Sequence, residues 1–568
     1  MTAPALERPP VRWRLRDPEA HLHGIPRFPR ITATVLAARG ITTRAAADVF
    51  YKPHLALDHD PLTLPGMAEA IMRTRRAIAD GELIALYGDF DVDGVTSVAV
   101  LSLGLGPLNA NITKYIPERF SEGYGLNFGA IDRLHERGAT LLITADCGIS
   151  SVDEVAYANS KGMDVVILDH HTVPETLPAA LAAVNPKRRD SDYPFDEMAA
   201  VGVSYRFLQV LYEAMGRLLD ESEFIDLVAL GTVVDVAPLV DENRTLVVNG
   251  LERMRSGLRP GLEALAAVAG TEPERIGAET LGFVLGPRMN AAGRIKHAEI
   301  ALSLLLATNA LEARTVAEEL NRLNRQRQQE TQEACELAEE LLGNGDDPLV
   351  MVGSPRIHAG IVGLVAARLA ERYGRPAIVY DQGHTESRAS ARSIPAFDIV
   401  SAIRREKDLL VRHGGHRAAA GFTVKNENLP ELRDRLAAYA SEMLDGQDLR
   451  RVFEIDAEAL LSEVAGIEIK GLMRFEPCGE GNRRPVLLSR NVEVRNSRLV
   501  GGDQKHLKLV LRDGPAAWQA IAFNQAEAEL ADRVDIVYSL QAGWRRDTVE
   551  LEVLDIAPSA AERPLEIG

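Results

Sequence analysis

The stretch LIALYGDFDVDGVTSVAVLSLGLG, residues 83–106, decides how the first half of this chain is read. Its opening LIALYG is a short apolar run of strand length, and VTSVAVLSLGLG can continue as a helix. Between them Asp89, Asp91 and Asp93 alternate and are followed at once by Gly94. Three carboxylates that close repel one another unless a cation sits among them. The spacing resembles the first half of an EF-hand loop, which needs a Glu at position 12 and a helix before it. Counted from Asp89, position 12 is Val100, and what precedes the loop is a strand, so the EF-hand reading fails.

The pattern then repeats. ANITKYIP, TLLITADCG and DVVILDHH are strand-like and alternate with the helical FGAIDRLHERG and SVDEVAYANSKG, which predicts a doubly wound parallel sheet. Ligands bind such sheets beyond the carboxyl ends of the strands. There stand Asp89, Asp91 and Asp93 after the first strand, Asp146 after the third, and Asp169, His170 and His171 after the fourth. Asp235, in ALGTVVDVAPL, adds a carboxylate after an apolar helical run, where a plain C-cap is the bland alternative. Carboxylates with one or two imidazoles suit manganese or magnesium, the histidines tilting the choice to manganese. A set this dense suits two ions that share a carboxylate, activate a water and neutralise phosphoryl charge. The residues alone therefore point to a two-metal hydrolase of phosphoesters or phosphoanhydrides.

The rest of the chain sets bounds. With 568 residues it exceeds one hydrophobic core, and 46% hydrophobic with 26% charged residues is ordinary globular composition. The N-terminus lacks the apolar segment of a signal peptide, and no apolar run is long enough to span a membrane, so no membrane partner is expected. Three separated cysteines exclude a disulfide framework and fit a reducing cytoplasm. A net charge of −18 argues mildly against nucleic acid, but binding depends on local patches and a carboxylate site inflates the count. Residues 1–40 read as an irregular lead-in and 41–305 as the parallel-sheet domain, mostly helical after 199. One polar helix over 306–343 follows, then a second α/β domain over 344–447. From 448 to 568 short strands separated by turns suggest a small β-barrel of OB type, with Trp518 and Trp544 readable as core or as base-stacking platforms.

Taken in order, DFDVDG (89–94), TADCGIS with Asp146, DHH (169–171) and GTVVDVAPL with Asp235 resemble the four motifs of the DHH phosphoesterase superfamily. GPRMNAAGR (286–294), HAGIVGLVAARL (358–369), SARSIPAFDI (390–399) and GGHRAAAGF (414–422) resemble the companion, DHHA1-type domain of RecJ-type exonucleases, and EPCGEGNRRPV (476–486) a further segment of that subgroup. The resemblance implies a 5′→3′ exonuclease specific for single-stranded DNA, acting in repair and recombination and releasing 5′-mononucleotides. It implies Asp91, Asp93, Asp146, His170 and Asp235 as principal ligands of two divalent cations, Mn2+ foremost and Mg2+ as the alternative, with Asp146 as the bridge. Asp89 matches the leading acid of the first motif, and His171 the histidine that approaches the phosphate. Arg119, Ser390 and Arg392 are implied as the 5′-phosphate pocket. Arg288, Asn290 and His416 are expected to line the same cleft. A RecQ-type helicase and single-strand binding protein are the implied partners. Two other readings stand beside this one: a DHH-family hydrolase of short oligonucleotides or small phosphoanhydrides, and a non-catalytic DNA-binding scaffold, which would have lost metal ligands that this chain keeps.

Overall fold

The computed structural model describes residues 11–22, 24–52, 59–343, 347–502, 504–543, 548–559 and 565–567. They form two compact units. One draws on the spans 59–235 and 249–449, the other on 1–58, 236–248 and 450–568.

In the first unit a five-stranded parallel sheet runs in the order Asn111–Tyr115, Leu83–Gly88, Ala139–Ala145, Asp164–Leu168, Ala182–Val184. Ile84 to Tyr87 have no exposed surface, as a strand covered on both faces requires. The chain leaves Leu83–Gly88 for a neighbour on one side and later returns on the other, so a topological switch point lies at its carboxyl end. There Asp91 caps the helix Val92–Leu105, accepting from the N–H groups of Asp93 (2.9 Å) and Gly94 (3.1 Å). Residue 94 must be glycine, because a Cβ would lie 2.5 Å from the backbone N and O of Asp89.

Helices then follow to Glu299–Leu306, and the polar stretch forms one 33-residue helix, Ala310–Leu342, capped by Asn309. The second α/β domain is a mixed sheet: Val350–Ser354 and Ala377–Gln382 pair in parallel, while Glu386–Arg392, Ala419–Lys425 and Leu410–His416 continue it antiparallel. SARS therefore ends a central strand, and GGHRAAAGF is a hairpin. Among the described residues no helix is long and apolar enough to cross a membrane.

The second unit is built on a closed five-stranded barrel, with Leu487–Val500 paired both to His506–Asp513 and to Arg533–Ala542. Trp518 packs against its core, and Trp544 lies outside the described residues. The lead-in differs from its irregular expectation. Arg12–Leu15 pairs in parallel with Val452–Ile455, and the Trp13 indole is buried and donates to Asp555 at 2.8 Å. Arg30–Ala38 is a buried helix whose first N–H groups, those of Ile31 and Thr32, are accepted by Glu468 at 2.8 and 2.9 Å. The described part of 1–58 thus folds with the barrel, as does 236–248, where Arg244 donates to the carbonyls of Phe475, Glu476 and Pro477.

Candidate metal centre and anion pocket

Three strand-end loops and one helix end bring the predicted acids together. Asp89 (3% exposed), Asp93 (1%) and Asp146 (1%) are buried, and Asp235 is the C-cap of Ile225–Val234. Three overlapping groups have ligand atoms within 4.8 Å of one another: Asp89, Asp91 and Asp146; Asp146, His170 and His171; Asp93, His170 and Asp235. Asp146 and His170 each belong to two of them. Asp146 adopts φ 64°, a left-handed conformation that Asp tolerates better than most residues and that concentrates at functional sites. His170 Nε2 lies 3.2 Å from Asp146 Oδ1 and 3.8 Å from both Asp93 Oδ2 and Asp235 Oδ2.

The electrostatics are those of a cation site. Burial, followed by repulsion from Asp91, raises Asp89 and Asp146 well above the usual carboxylate range and Asp93 to about 7. Burial with Asp93 and Asp91 pushes Asp235 to about 9. Burial, then the neighbouring His171, lowers His170 to about 4, so its imidazole is neutral and Nε2 can offer a lone pair. Asp89 Oδ1, Asp146 Oδ1 and His170 Nε2 are buried without a hydrogen-bond partner. Acceptor atoms crowded together without donors need a positive charge among them. The donor set, carboxylate oxygen with imidazole nitrogen, fits Mn2+ or Mg2+.

Not every carboxylate is free. Asp93 accepts from the N–H groups of Ala200 (2.8 Å) and Val201 (2.9 Å) at the start of the helix Ala200–Ala214, which holds it by the positive helix end. Asp169, to which the family resemblance assigns no role, is the organiser of the histidines. Its Oδ1 accepts from the N–H of His170 (2.8 Å) and of His171 (3.1 Å) and lies 2.8 Å from His171 Nδ1, while Oδ2 accepts from the N–H of Ile149 (3.0 Å). Burial alone would raise Asp169, but the His171 hydrogen bond and charge prevail and hold it at about 2. Reciprocally, Asp169 outweighs burial at His171 and raises it. Tyr124 completes the bracket, its hydroxyl 3.2 Å from His171 Nδ1 and its ring edge-on to the imidazole at 5.5 Å.

Beside these carboxylates stand arginines. The Arg119 guanidinium lies over the Phe90 ring at 4.5 Å. Arg392 donates to Ser390 Oγ at 3.0 Å and to the Ala391 carbonyl at 2.9 Å. Burial, then the Arg119 charge, lowers Arg392. Partial desolvation, then Arg392 and His171, lowers His416 on the hairpin. Arg119, Ser390, Arg392 and His416 are therefore brought together.

Arg288 is not part of that group. It donates to the Val284 carbonyl (2.6 Å) and to Asn321 of the long helix (3.1 Å), and the charge bearing on it is Arg325. Arg294, six residues on, does stand near that group: burial and then the charges of Arg119, Arg327 and Arg392 lower it to about 9. Arg294 donates to the Gly360 carbonyl at 3.1 Å. Asn290 stands on the same helix, Gly286–Ile295, between two close approaches. A Cβ on Gly286 would meet Val234 at 2.5 Å, and one on Gly293 would meet the Phe90 carbonyl at 2.9 Å.

Comparison with known proteins gives the family of each domain. The DHH family N-terminal domain matches residues 83–232, the DHHA1 domain 346–442 and the RecJ OB domain 455–555. The single-stranded-DNA-specific exonuclease RecJ of Bacillus subtilis is 37% identical over 567 residues, covering 97% of this chain and 71% of the relative. The crystal structure of RecJ from Thermus thermophilus in complex with Mn2+ superposes with a TM-score of 0.82 at 29% identity, over 98% of this chain and 80% of that one. The complex of RecJ from the same organism with Mg2+ gives 0.77 at 28% identity, over 98% and 79%. On sequence, domain order and fold alike, the chain belongs to the RecJ family of single-stranded-DNA-specific exonucleases.

Proposed function

We propose that this protein degrades single-stranded DNA from the 5′ end, releasing 5′-mononucleotides, with two divalent cations, Mn2+ foremost, held by Asp91, Asp93, Asp146, His170 and Asp235. Asp89 adds charge and a lone pair to the Asp91–Asp146 side. The observation that carries the reading is the sharing of Asp146 and His170 between adjoining candidate groups, with Asp146 Oδ1 and His170 Nε2 buried and unpartnered. That is the arrangement two neighbouring ions need. When bound, the cations supply Lewis-acid charge to the phosphoryl oxygens and lower the pKa of the attacking water.

The chain's own groups do the rest. Arg119, Arg392 and Ser390 grip the terminal phosphate through fork-shaped donors, and Arg294 adds charge beside them. This places the next phosphodiester at the acidic cluster. Water attacks its phosphorus in line, and the bond to the 3′ oxygen of the first nucleotide breaks. One proton of the water ends on that oxygen. The shortened strand keeps the phosphate, and its new 5′ end is again a ligand for the arginine pocket. His171, held on Nδ1 by Asp169, has Nε2 left to donate to a phosphoryl oxygen as charge builds. The net charge of −18 does not oppose this reading, because several arginine charges gather at the proposed pocket.

The reading implies a cytoplasmic enzyme fed by a RecQ-type helicase and working beside single-strand binding protein. The deciding experiment incubates end-labelled single- and double-stranded DNA with Mn2+, with and without EDTA. Mononucleotides from the 5′ end of single strands only, abolished by EDTA, are expected. Activity confined to pyrophosphate or dinucleotides would select the small-substrate hydrolase, and binding without cleavage the scaffold.

A further inference from the structure

Phe90 stands between two candidate ligands, Asp89 and Asp91, yet its side chain cannot touch a metal. Its ring is half-buried and lies under the Arg119 guanidinium at 4.5 Å, a cation–π distance. Among the described residues Arg119 makes no hydrogen bond or close ion pair; Asp89 and Asp91 attract its charge from a distance, and this ring is the one direct contact that orients its fork. The loop carrying Arg119 is tied down on its other side as well. The Phe120 ring meets His358 edge-on at 5.2 Å, and the Phe120 carbonyl accepts from Arg388 at 3.0 Å. The Phe90 backbone is equally constrained, with Gly293 packed so closely that any Cβ there would press on its carbonyl. The group proposed to anchor the 5′ phosphate is thus coupled, through one aromatic residue, to the loop that presents Asp89 and Asp91.

We propose that Phe90 is a positioning residue that sets the register of cleavage. By holding Arg119 against the metal loop, it fixes the spacing between terminal-phosphate anchor and cations so that one nucleotide fits between them. This rests on the phosphate-pocket reading above. The spacing matters because a misplacement of about 1 Å at a reacting centre costs on the order of 100-fold in rate. A fork freed from its platform reaches over a range of positions, and strands then bind in more than one register.

The test compares wild type, Phe90→Ala, Phe90→Tyr and Arg119→Ala on 5′-phosphorylated and 5′-hydroxyl single strands, with products resolved by length and Mn2+ binding followed by calorimetry. Phe90→Ala is expected to lose at least tenfold of the preference for 5′-phosphate and to release dinucleotides beside mononucleotides, with Mn2+ affinity within a few-fold of wild type. Phe90→Tyr, which keeps the ring, restores both preference and mononucleotide product. Equal losses on both ends with mononucleotides alone, or loss of Mn2+ binding, would overturn the proposal by making Phe90 a mere structural part of the metal loop. If Arg119→Ala leaves the phosphate preference intact, the pocket reading falls and this inference falls with it. If Arg119→Ala abolishes the preference while Phe90→Ala does not, only the positioning role is lost.

Discussion

Replacing Asp169 by Asn changes one heavy atom and keeps the shape, yet it should disable the centre. In the folded protein the carboxyl is held at about 2 against an ordinary 3.8, a difference of nearly two units. At about 1.4 kcal/mol per unit, that is about 2–3 kcal/mol of stabilisation. The folded value is depressed, so this contribution is present above about pH 4 and is lost as pH falls through about 2. The amide keeps an acceptor for the N–H groups of His170 and His171 but turns an NH2 towards the N–H of Ile149, donor facing donor, at about 1–3 kcal/mol. His171 also loses the anion that raises it, so less of it is protonated at neutral pH. We expect kcat on single strands at pH 7.5 and saturating Mn2+ to fall on the order of 100-fold, the usual size of a general acid or donor contribution. The alkaline limb of the pH–rate profile should move to lower pH. Mn2+ affinity should weaken by about tenfold, as expected when the partner of a ligand is lost. An unmoved alkaline limb with near wild-type kcat would refute the reasoning and leave Asp169 as a turn residue only.

Asp146→Ala should abolish cleavage while leaving strand binding by gel shift largely intact, since its carboxylate belongs to two of the three ligand groups; full activity would sink the two-metal arrangement. Arg392→Ala should lower kcat/KM on 5′-phosphorylated strands more than on 5′-hydroxyl strands, and an equal loss on both would remove it from the pocket. Gly94→Ala places a methyl 2.5 Å from the Asp89 backbone, where nothing flexible can yield, and should eliminate Mn2+ binding in calorimetry; wild-type binding would show the loop to be softer than its packing implies. Because Asp93 and Asp235 are raised from 3.8 to about 7 and about 9, the metal-free protein should lose stability as pH rises from about 4 to about 9, while apparent Mn2+ affinity climbs as the two protons leave. A pH-independent affinity between 6 and 9 would contradict those shifts.

What could be read in advance follows from the range of the interactions involved. The metal loops were legible because each is local: an apolar strand ends, and an acid or DHH follows at once, so fold and site share one signal. The helix Arg30–Ala38 was not. Pro29 precedes it and offers no side-chain cap, and the acceptor for its first N–H groups is Glu468, more than 400 residues away. Trp13 is likewise buried against a partner, Asp555, at the far end of the chain. No window of sequence contains either contact. Arg288 is a different failure, one that periodicity could have caught. At about 100° per residue, Arg294 lies about 240° around the helix from Arg288 but only about 40° from Asn290. One face of Gly286–Ile295 can therefore present Asn290 with Arg294, but not Asn290 with Arg288. The structure agrees: Arg288 turns to Asn321, and the charges acting on Arg294 are those of Arg119, Arg327 and Arg392. The motif held the right residue types, and helix geometry chose which arginine stands near Arg119 and Arg392. For a chain of net charge −18, that choice gathers several arginine charges in one place, which is what the proposed phosphate pocket requires.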